Sequence, residues 1–101
     1  MALAQANPSY TYADFLEWDE RERCELVDGE VFMLAAPSVE HQRVLMELAY
    51  HLRAFLKGRP CKVFPAPFAV RLNPLADNRD DTVLEPDIVV VCDSSKLDKR
   101  G

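Results

Sequence analysis

The sequence contains few glycines and no long apolar run, and these absences exclude several protein classes. Three glycines in 101 residues form no glycine-rich loop of the kind that holds phosphate groups. The apolar runs are much shorter than a membrane span, and the first residues lack the layout of a signal peptide. We therefore expect a cytoplasmic protein with no membrane partner.

Cysteine is also scarce. Cys24, Cys61 and Cys92 are odd in number, widely spaced and embedded in apolar segments. This spacing indicates neither a disulfide framework nor a zinc site. We expect all three side chains to be reduced and to lie in the core.

Positive charge is in deficit as well, with 12 basic and 17 acidic residues and a formal net charge of −5. On average the chain therefore repels nucleic acid, whereas an acidic metal site would still fit. With 49% hydrophobic and 29% charged residues, the sequence is typical of one soluble globular domain.

The most informative segment has the sequence Leu84-Glu85-Pro86-Asp87-Ile88-Val89-Val90-Val91-Cys92. Its run of β-branched residues predicts a central strand that is buried on both faces. Pro86 has no N–H for a strand ladder, so we expect irregular backbone just before Asp87, which would let the carboxylate face a cleft. A metal ion and a structural hydrogen-bond network are the two alternative partners for this carboxylate.

Local signals predict the remaining elements. Residues 1–9 are expected to form a flexible leader, and Thr11 with Asp14 predicts the start of a short helix that ends near Asp19. Asp28-Gly29 predicts a hairpin in which Leu26 pairs with Val31 and Cys24 with Met33, and in which Glu25 and Glu30 are solvated.

The main helix is predicted to begin after Ser38 and to stop at Lys57-Gly58-Arg59-Pro60. Its apolar stripe contains His41, Leu45, Leu48, Leu52 and Phe55, broadened by Val44 and Leu56. His41 is interpreted either as a histidine at the edge of the core or as a site residue in the same cleft as Asp87. Glu40 is interpreted first as a partner of the helix dipole and second as a metal ligand.

After Pro60, two strands are predicted, at residues 61–64 and 68–72. A polar loop over residues 73–81 then returns the chain to the Asp87 strand through residues 82–84. Because this loop joins the strand at residues 68–72 to the Asp87 strand, we expect these two strands to form an antiparallel pair.

Four motifs in this order resemble the Uma-two family of restriction-endonuclease-like proteins, from about Tyr10 to the last residue. They are Glu25-Leu26-Val27-Asp28-Gly29-Glu30, Pro37-Ser38-Val39-Glu40-His41-Gln42, the run 63–72, and Glu85-Pro86-Asp87-Ile88-Val89-Val90-Val91-Cys92-Asp93. The family resembles the PD-(D/E)xK nuclease superfamily. The resemblance implies an α+β fold of the layered type, with an N-terminal helix, a β-hairpin, a main helix and a mixed sheet.

The resemblance also implies a site. Asp87 would be the aspartate of the motif and a metal ligand, Glu40 a second catalytic and metal-binding carboxylate, and His41 a neighbouring catalytic residue. The expected cofactor is Mg²⁺ and the expected substrate of the complete domain is DNA. Family members continue into a strand with a second acidic residue, and this chain stops at Gly101 before it. We therefore expect residues 10–101 to be the N-terminal portion of the domain.

Two function classes remain open. One is part of a Mg²⁺-dependent DNA endonuclease with an incomplete active site, and the other is a non-catalytic module for assembly or binding. The apolar run Ile88-Val89-Val90-Val91 has one strong helix stripe to cover it and lacks a neighbouring strand. We therefore expect a homo-oligomer, a dimer formed through this sheet edge, or else a poorly soluble chain.

Overall fold

The computed structural model describes residues 2–3, 9–18 and 23–98 and divides into two compact units. The first unit consists of Met1–Ala35 and Val70–Glu85, and the second of Ala36–Ala69 and Pro86–Gly101. Both units combine helix with antiparallel strands, which confirms the predicted α+β class.

The first unit contains a five-stranded sheet with the order β1-β3-β2-β6-β5. The strands are β1 (Ala2–Leu3), β2 (Cys24–Val27), β3 (Glu30–Met33), β5 (Val70–Arg71) and β6 (Val83–Leu84). Leu26 on β2 and Val83 on β6 are opposed in the sheet, and both are fully buried. The centre of this unit's core is therefore a pair of branched apolar side chains on adjacent strands.

The hairpin of β2 and β3 has the predicted register, with Cys24 opposite Met33 and Leu26 opposite Val31. Asp28 and Gly29 both have positive φ, at 50° and 83°, as this two-residue turn requires. Glu25 differs from the prediction of a solvated charge, because its carboxylate accepts a hydrogen bond of 2.8 Å from the backbone N–H of Glu85.

Helix α1 spans Tyr12–Phe15 and is shorter than predicted. Thr11 is its N-cap as expected, and the carboxylate of Asp14 accepts the Thr11 backbone N–H at 2.9 Å. Trp18 follows in a turn, while Asp19 lies outside the described residues. Of the predicted leader 1–9, Ala2–Leu3 forms strand β1 against β3, and the flexibility of the leader stays a prediction.

A buried ion pair anchors the loop between β5 and β6. The Arg71 guanidinium donates to both carboxylate oxygens of Asp80, whose side chain is 2% exposed, and also to the carbonyl oxygen of Leu75. The guanidinium carbon lies 3.9 Å from the centroid of the Tyr12 ring, a cation–π contact. These contacts fix the polar loop between β5 and β6 against the core of the first unit.

The second unit contains α2 (Val39–Leu56), β4 (Lys62–Pro65), β7 (Ile88–Val91) and a short 3₁₀ helix (Ser94–Lys96). The observed start and end of α2 confirm the predicted limits of the main helix. The Ser38 hydroxyl accepts the His41 backbone N–H at 3.0 Å, and Gly58 follows the helix with a φ of 78°.

The predicted apolar stripe of α2 is only partly turned inward. The half-buried side chains recur at spacings of four and three, at His41, Leu45, Ala49, Leu52 and Leu56. Three members of the predicted stripe are exposed instead, and their exposed fractions are 50%, 51% and 64% for Val44, Leu48 and Phe55. The reason is geometric, because these three lie on the neighbouring side of the helix, away from the column that is half buried.

The prediction of a central, doubly buried strand at Ile88–Val91 is wrong. β7 pairs with β4 alone among the described strands, and Val90 is 42% exposed. The expected continuous segment from Thr82 is split, since β6 ends at Leu84 and pairs with β5 and β2 in the other sheet. Pro86 lies between the two strands and has no N–H to continue a ladder.

The prediction that all cysteines are reduced is wrong for two of them. Cys61 and Cys92 form a disulfide one position beyond the opposed pair Lys62 and Val91, so it crosslinks β4 and β7 at one end. Cys24 is buried and lies outside this disulfide, as predicted. Spacing along the sequence did not reveal the pair because the two cysteines meet only when their strands are aligned.

We predict that Asp80→Asn destabilises the protein by about 3 to 5 kcal/mol, because it leaves the Arg71 guanidinium largely buried without its counter-charge. The hydrogen bonds and charge of Arg71 hold the pKa of Asp80 below its ordinary value. This stabilisation is therefore present above the unfolded pKa and is lost as pH falls through the lower folded pKa. Urea denaturation of both proteins should show a difference at pH 7 that shrinks below about pH 4.

Asp77→Asn is the matched control for that measurement. Asp77 faces Arg79 in an ion pair whose side chains are 61% and 81% exposed. Exposed pairs contribute at most about 1 kcal/mol, so this variant should change the free energy of unfolding little. Equal losses of unfolding free energy in the two variants would show that the buried ion pair contributes no more than the exposed one.

A second prediction concerns the disulfide. A thiol assay on unreduced, denatured protein should count one thiol, that of Cys24. Substituting Cys61 and Cys92 by serine together should lower the free energy of unfolding by about 3 to 4 kcal/mol, the value for a loop of this size. A count of three thiols would contradict the crosslink and would agree with the predicted cytoplasmic location.

Candidate functional site

Asp87 is held by the end of the β4–β7 ladder in the second unit. Its carbonyl oxygen accepts the backbone N–H of Ala66 at 2.9 Å, one position beyond the opposed pair Pro65 and Ile88. Its side chain is 62% exposed. The backbone of Asp87 is thus fixed while its carboxylate is open to solvent, and the expectation that it faces a cleft stays a prediction.

His41 lies in the first turn of α2, where the Ser38 cap fixes its backbone. Its ring nitrogen Nε2 lies 3.1 Å from Oδ2 of Asp87. The side chain of His41 is 40% exposed, so the contact lies at the edge of the unit. The structure therefore brings together two of the three residues that the sequence nominated.

The second nitrogen of the His41 ring also has a partner. Nδ1 lies 3.1 Å from Oε1 of the neighbouring Gln42. Because an ionised carboxylate only accepts, Nε2 carries the proton in the contact with Asp87. A charged ring donates at both nitrogens, while a neutral ring requires the NH₂ of Gln42 to face Nδ1.

Glu40, the third nominated residue, faces a different partner. Its carboxylate lies 2.9 Å from the guanidinium of Arg43, three residues later on the same helix, and both side chains are about two-thirds exposed. The spacing of opposite charges at i and i+3 is a known helix pairing and could have indicated this contact from the sequence. The role of Glu40 as a metal ligand stays a prediction.

Among the described residues, few polar groups lie around the Asp87 carboxylate. Its oxygen Oδ1 has no hydrogen-bond partner among the described residues. In the part of the chain that the structure describes, no group of three or more histidine, cysteine or acidic side chains is arranged to hold a metal. What the arrangement offers is one open carboxylate oxygen beside an imidazole N–H.

Gln42 was not singled out from the sequence, since a polar residue beside a histidine in an exposed first turn is common. A largely buried carboxylate of the first unit, that of Glu85 with a side chain 10% exposed, was also missed. Burial raises the pKa of Glu85, and the charge of Arg23, whose Nε lies 3.9 Å away, opposes that shift. The sequence signal for it was weak, because Glu85 precedes a proline in a segment that was predicted as irregular.

Comparison with protein families gives a match over most of the chain. The family described as "Uma2: Putative restriction endonuclease" matches residues 12–101. A search of curated proteins found no match. Among the described helices, none is long and apolar enough to span a membrane.

Proposed function

Since the chain belongs to the Uma2 family, we propose that it is part of a Mg²⁺-dependent DNA endonuclease in which Asp87 is the metal-binding carboxylate. The observation that supports this most directly is the contact between His41 and Asp87, which leaves Oδ1 of the carboxylate open. A nuclease-like family makes DNA the natural substrate class, and such families generally use divalent metals.

The residues present fit a Mg²⁺ ion held by a single protein carboxylate. Mg²⁺ keeps several waters and often binds through one or two carboxylates together with the substrate phosphate. Asp87 would hold the ion through its open oxygen, and Glu40 could join only after leaving Arg43. When bound, the ion would polarise the phosphate and lower the pKa of an attacking water.

The protein's own groups position this carboxylate. The Ala66 N–H fixes the backbone of Asp87, and the Nε2–H of His41 holds Oδ2. Together they limit rotation of the carboxylate and direct Oδ1 outward. Contact of His41 with a phosphate oxygen or a water beside Asp87 would require one ring nitrogen to leave its partner, Asp87 or Gln42.

Metal binding tests the assignment. By titration calorimetry, Mg²⁺ or Mn²⁺ should bind weakly to the wild-type chain, and Asp87→Asn should abolish the signal because it removes the ligand charge. Glu40→Gln is the matched control, with the same loss of charge on a carboxylate that faces Arg43, and it should weaken binding less. Wild-type affinity in Asp87→Asn would rule out Asp87 as the ligand.

We also propose that the site in this chain is incomplete. One carboxylate is a weak cage for Mg²⁺, so the purified chain is expected not to cleave plasmid DNA in the presence of the metal. The assay is conversion of supercoiled plasmid to nicked or linear forms. Reproducible cleavage that disappears in Asp87→Ala would contradict the incomplete site while supporting the endonuclease.

The alternative function is an assembly module, and two observations favour it. β7 pairs on one side alone among the described strands, with Val90 42% exposed, and α2 exposes Val44, Leu48 and Phe55. An open edge next to apolar side chains favours pairing with a second copy of the chain. We propose a homodimer in which the β7 edges of two copies pair.

Light scattering after size exclusion should show a dimer for the wild-type chain. Val90→Lys should shift it toward monomer, because a lysine at the exposed position of β7 places like charges next to each other across the paired edge. Val39→Lys, which changes a residue 80% exposed at the start of α2, is the control and should remain dimeric. A wild-type monomer at high concentration would rule out assembly through this edge.

A further inference from the structure

The net charge of −5 hides a separation of charge between the two units. Residues 36–69 and 86–101 carry eight basic and five acidic side chains, whereas the rest of the chain carries four basic and twelve acidic ones. The unit that contains Asp87 and His41 is therefore net positive, at +3, and the other is at −8. The average repulsion of nucleic acid expected from the whole sequence does not apply to this unit.

The positive charge is concentrated in one segment. Residues 48–69 contain no acidic side chain and four basic ones, which are Arg53, Lys57, Arg59 and Lys62. All four are exposed, and none forms an ion pair with a carboxylate among the described residues. This set, the basic end of α2, lies on the last turns of the helix, the turn after it and the first residue of β4.

The helix dipole explains only part of this set. Cations near a helix C-terminus are favourable, and Arg53 and Lys57 fit that explanation. The effect decays within the last turn, and Arg59 and Lys62 lie beyond it. A solvated surface explains single charges, but it does not explain why no carboxylate occurs among 22 residues in a chain with 17 acidic ones.

Arg59 shows a preformed arrangement. Its guanidinium carbon lies 4.5 Å from the centroid of the Phe55 ring, which is 64% exposed, and its Nε donates to the Phe55 carbonyl oxygen at 2.9 Å. The stack and the hydrogen bond hold the planar group in place. The remaining N–H groups of the guanidinium point to no partner among the described residues, and a bidentate acceptor such as phosphate matches their geometry.

We propose that the basic end of α2 binds the phosphate backbone of duplex DNA and so positions the duplex relative to Asp87. This inference rests on the proposed function and adds the surface that holds the substrate. The same helix carries His41, so the two sites are held at a fixed separation. At 1.5 Å per residue, Arg53 and Lys57 lie roughly 18 Å and 24 Å along the axis from His41, within one turn of a DNA duplex, about 34 Å.

The test is the affinity for a labelled duplex of about 20 base pairs, measured by fluorescence anisotropy in EDTA so that no metal contributes. Arg53→Gln and Lys57→Gln should each reduce affinity about fivefold at 0.15 M salt, the effect of one phosphate contact. The double variant should lower the slope of log affinity against log salt by about 1.8. Glutamine is a good helix former, and circular dichroism verifies that α2 is retained.

Arg79→Gln is the matched control. It removes the same charge from an exposed arginine of the acidic unit, and it should leave the duplex affinity within about twofold. Equal losses in Arg79→Gln and Lys57→Gln, or no loss in the α2 variants, would overturn the proposal. Binding to vesicles rich in anionic lipid without binding to the duplex would also overturn it, because the surface would then serve a membrane.

Metal binding and duplex affinity together distinguish a failure of the metal site from a failure of the DNA surface. If Asp87→Asn does not change metal binding but the α2 variants lose duplex affinity, the DNA surface stands and the metal assignment fails. If metal binding depends on Asp87 but the wild-type chain shows no affinity for the duplex, the surface fails and the metal site stands.

Discussion

The absence of an N–H at Pro86 is the constraint on which the arrangement of the chain depends. A residue that could donate at this position would allow one continuous strand from Val83 to Val91. With proline there, the ladder of β6 stops at Leu84 and that of β7 starts at Ile88, and the two strands pair with different partners. Asp87 therefore lies in irregular backbone outside both ladders, with a side chain that is 62% exposed.

Local chemistry explains what could be predicted from the sequence. The limits of α2 follow from Ser38 and Gly58, and the hairpin register follows from Asp28-Gly29, because each depends on a few adjacent residues. The partners of β7 and the pairing of Cys61 with Cys92 could not be predicted, since both depend on strands that are distant in sequence. The inward side of α2 was predicted only in part, because two neighbouring columns of the helix carry apolar residues and the sequence does not specify which of them packs.

In the candidate site too, local sequence signals predicted individual residues, but not the contacts that depend on packing. His41 and Asp87 were nominated separately, one from its place in a helix and the other from its place before a strand. Their contact at 3.1 Å requires that α2, β4 and β7 pack as one unit, which no local signal encodes. Glu40 shows the converse, since its nearest partner, Arg43, is local and was visible as a spacing of charges. The charge of the unit was hidden because a net value averages over both units.

The β4–β7 ladder is closed at both ends, by the disulfide at Cys61 and Cys92 and by the hydrogen bond between Ala66 and Asp87. A two-stranded ladder without such ends can slip by one residue, and a slip turns every side chain of one strand to the opposite face. Here slippage would require breaking a covalent bond. The disulfide therefore determines on which face of the ladder Asp87 lies, although the disulfide and Asp87 are at opposite ends of β7.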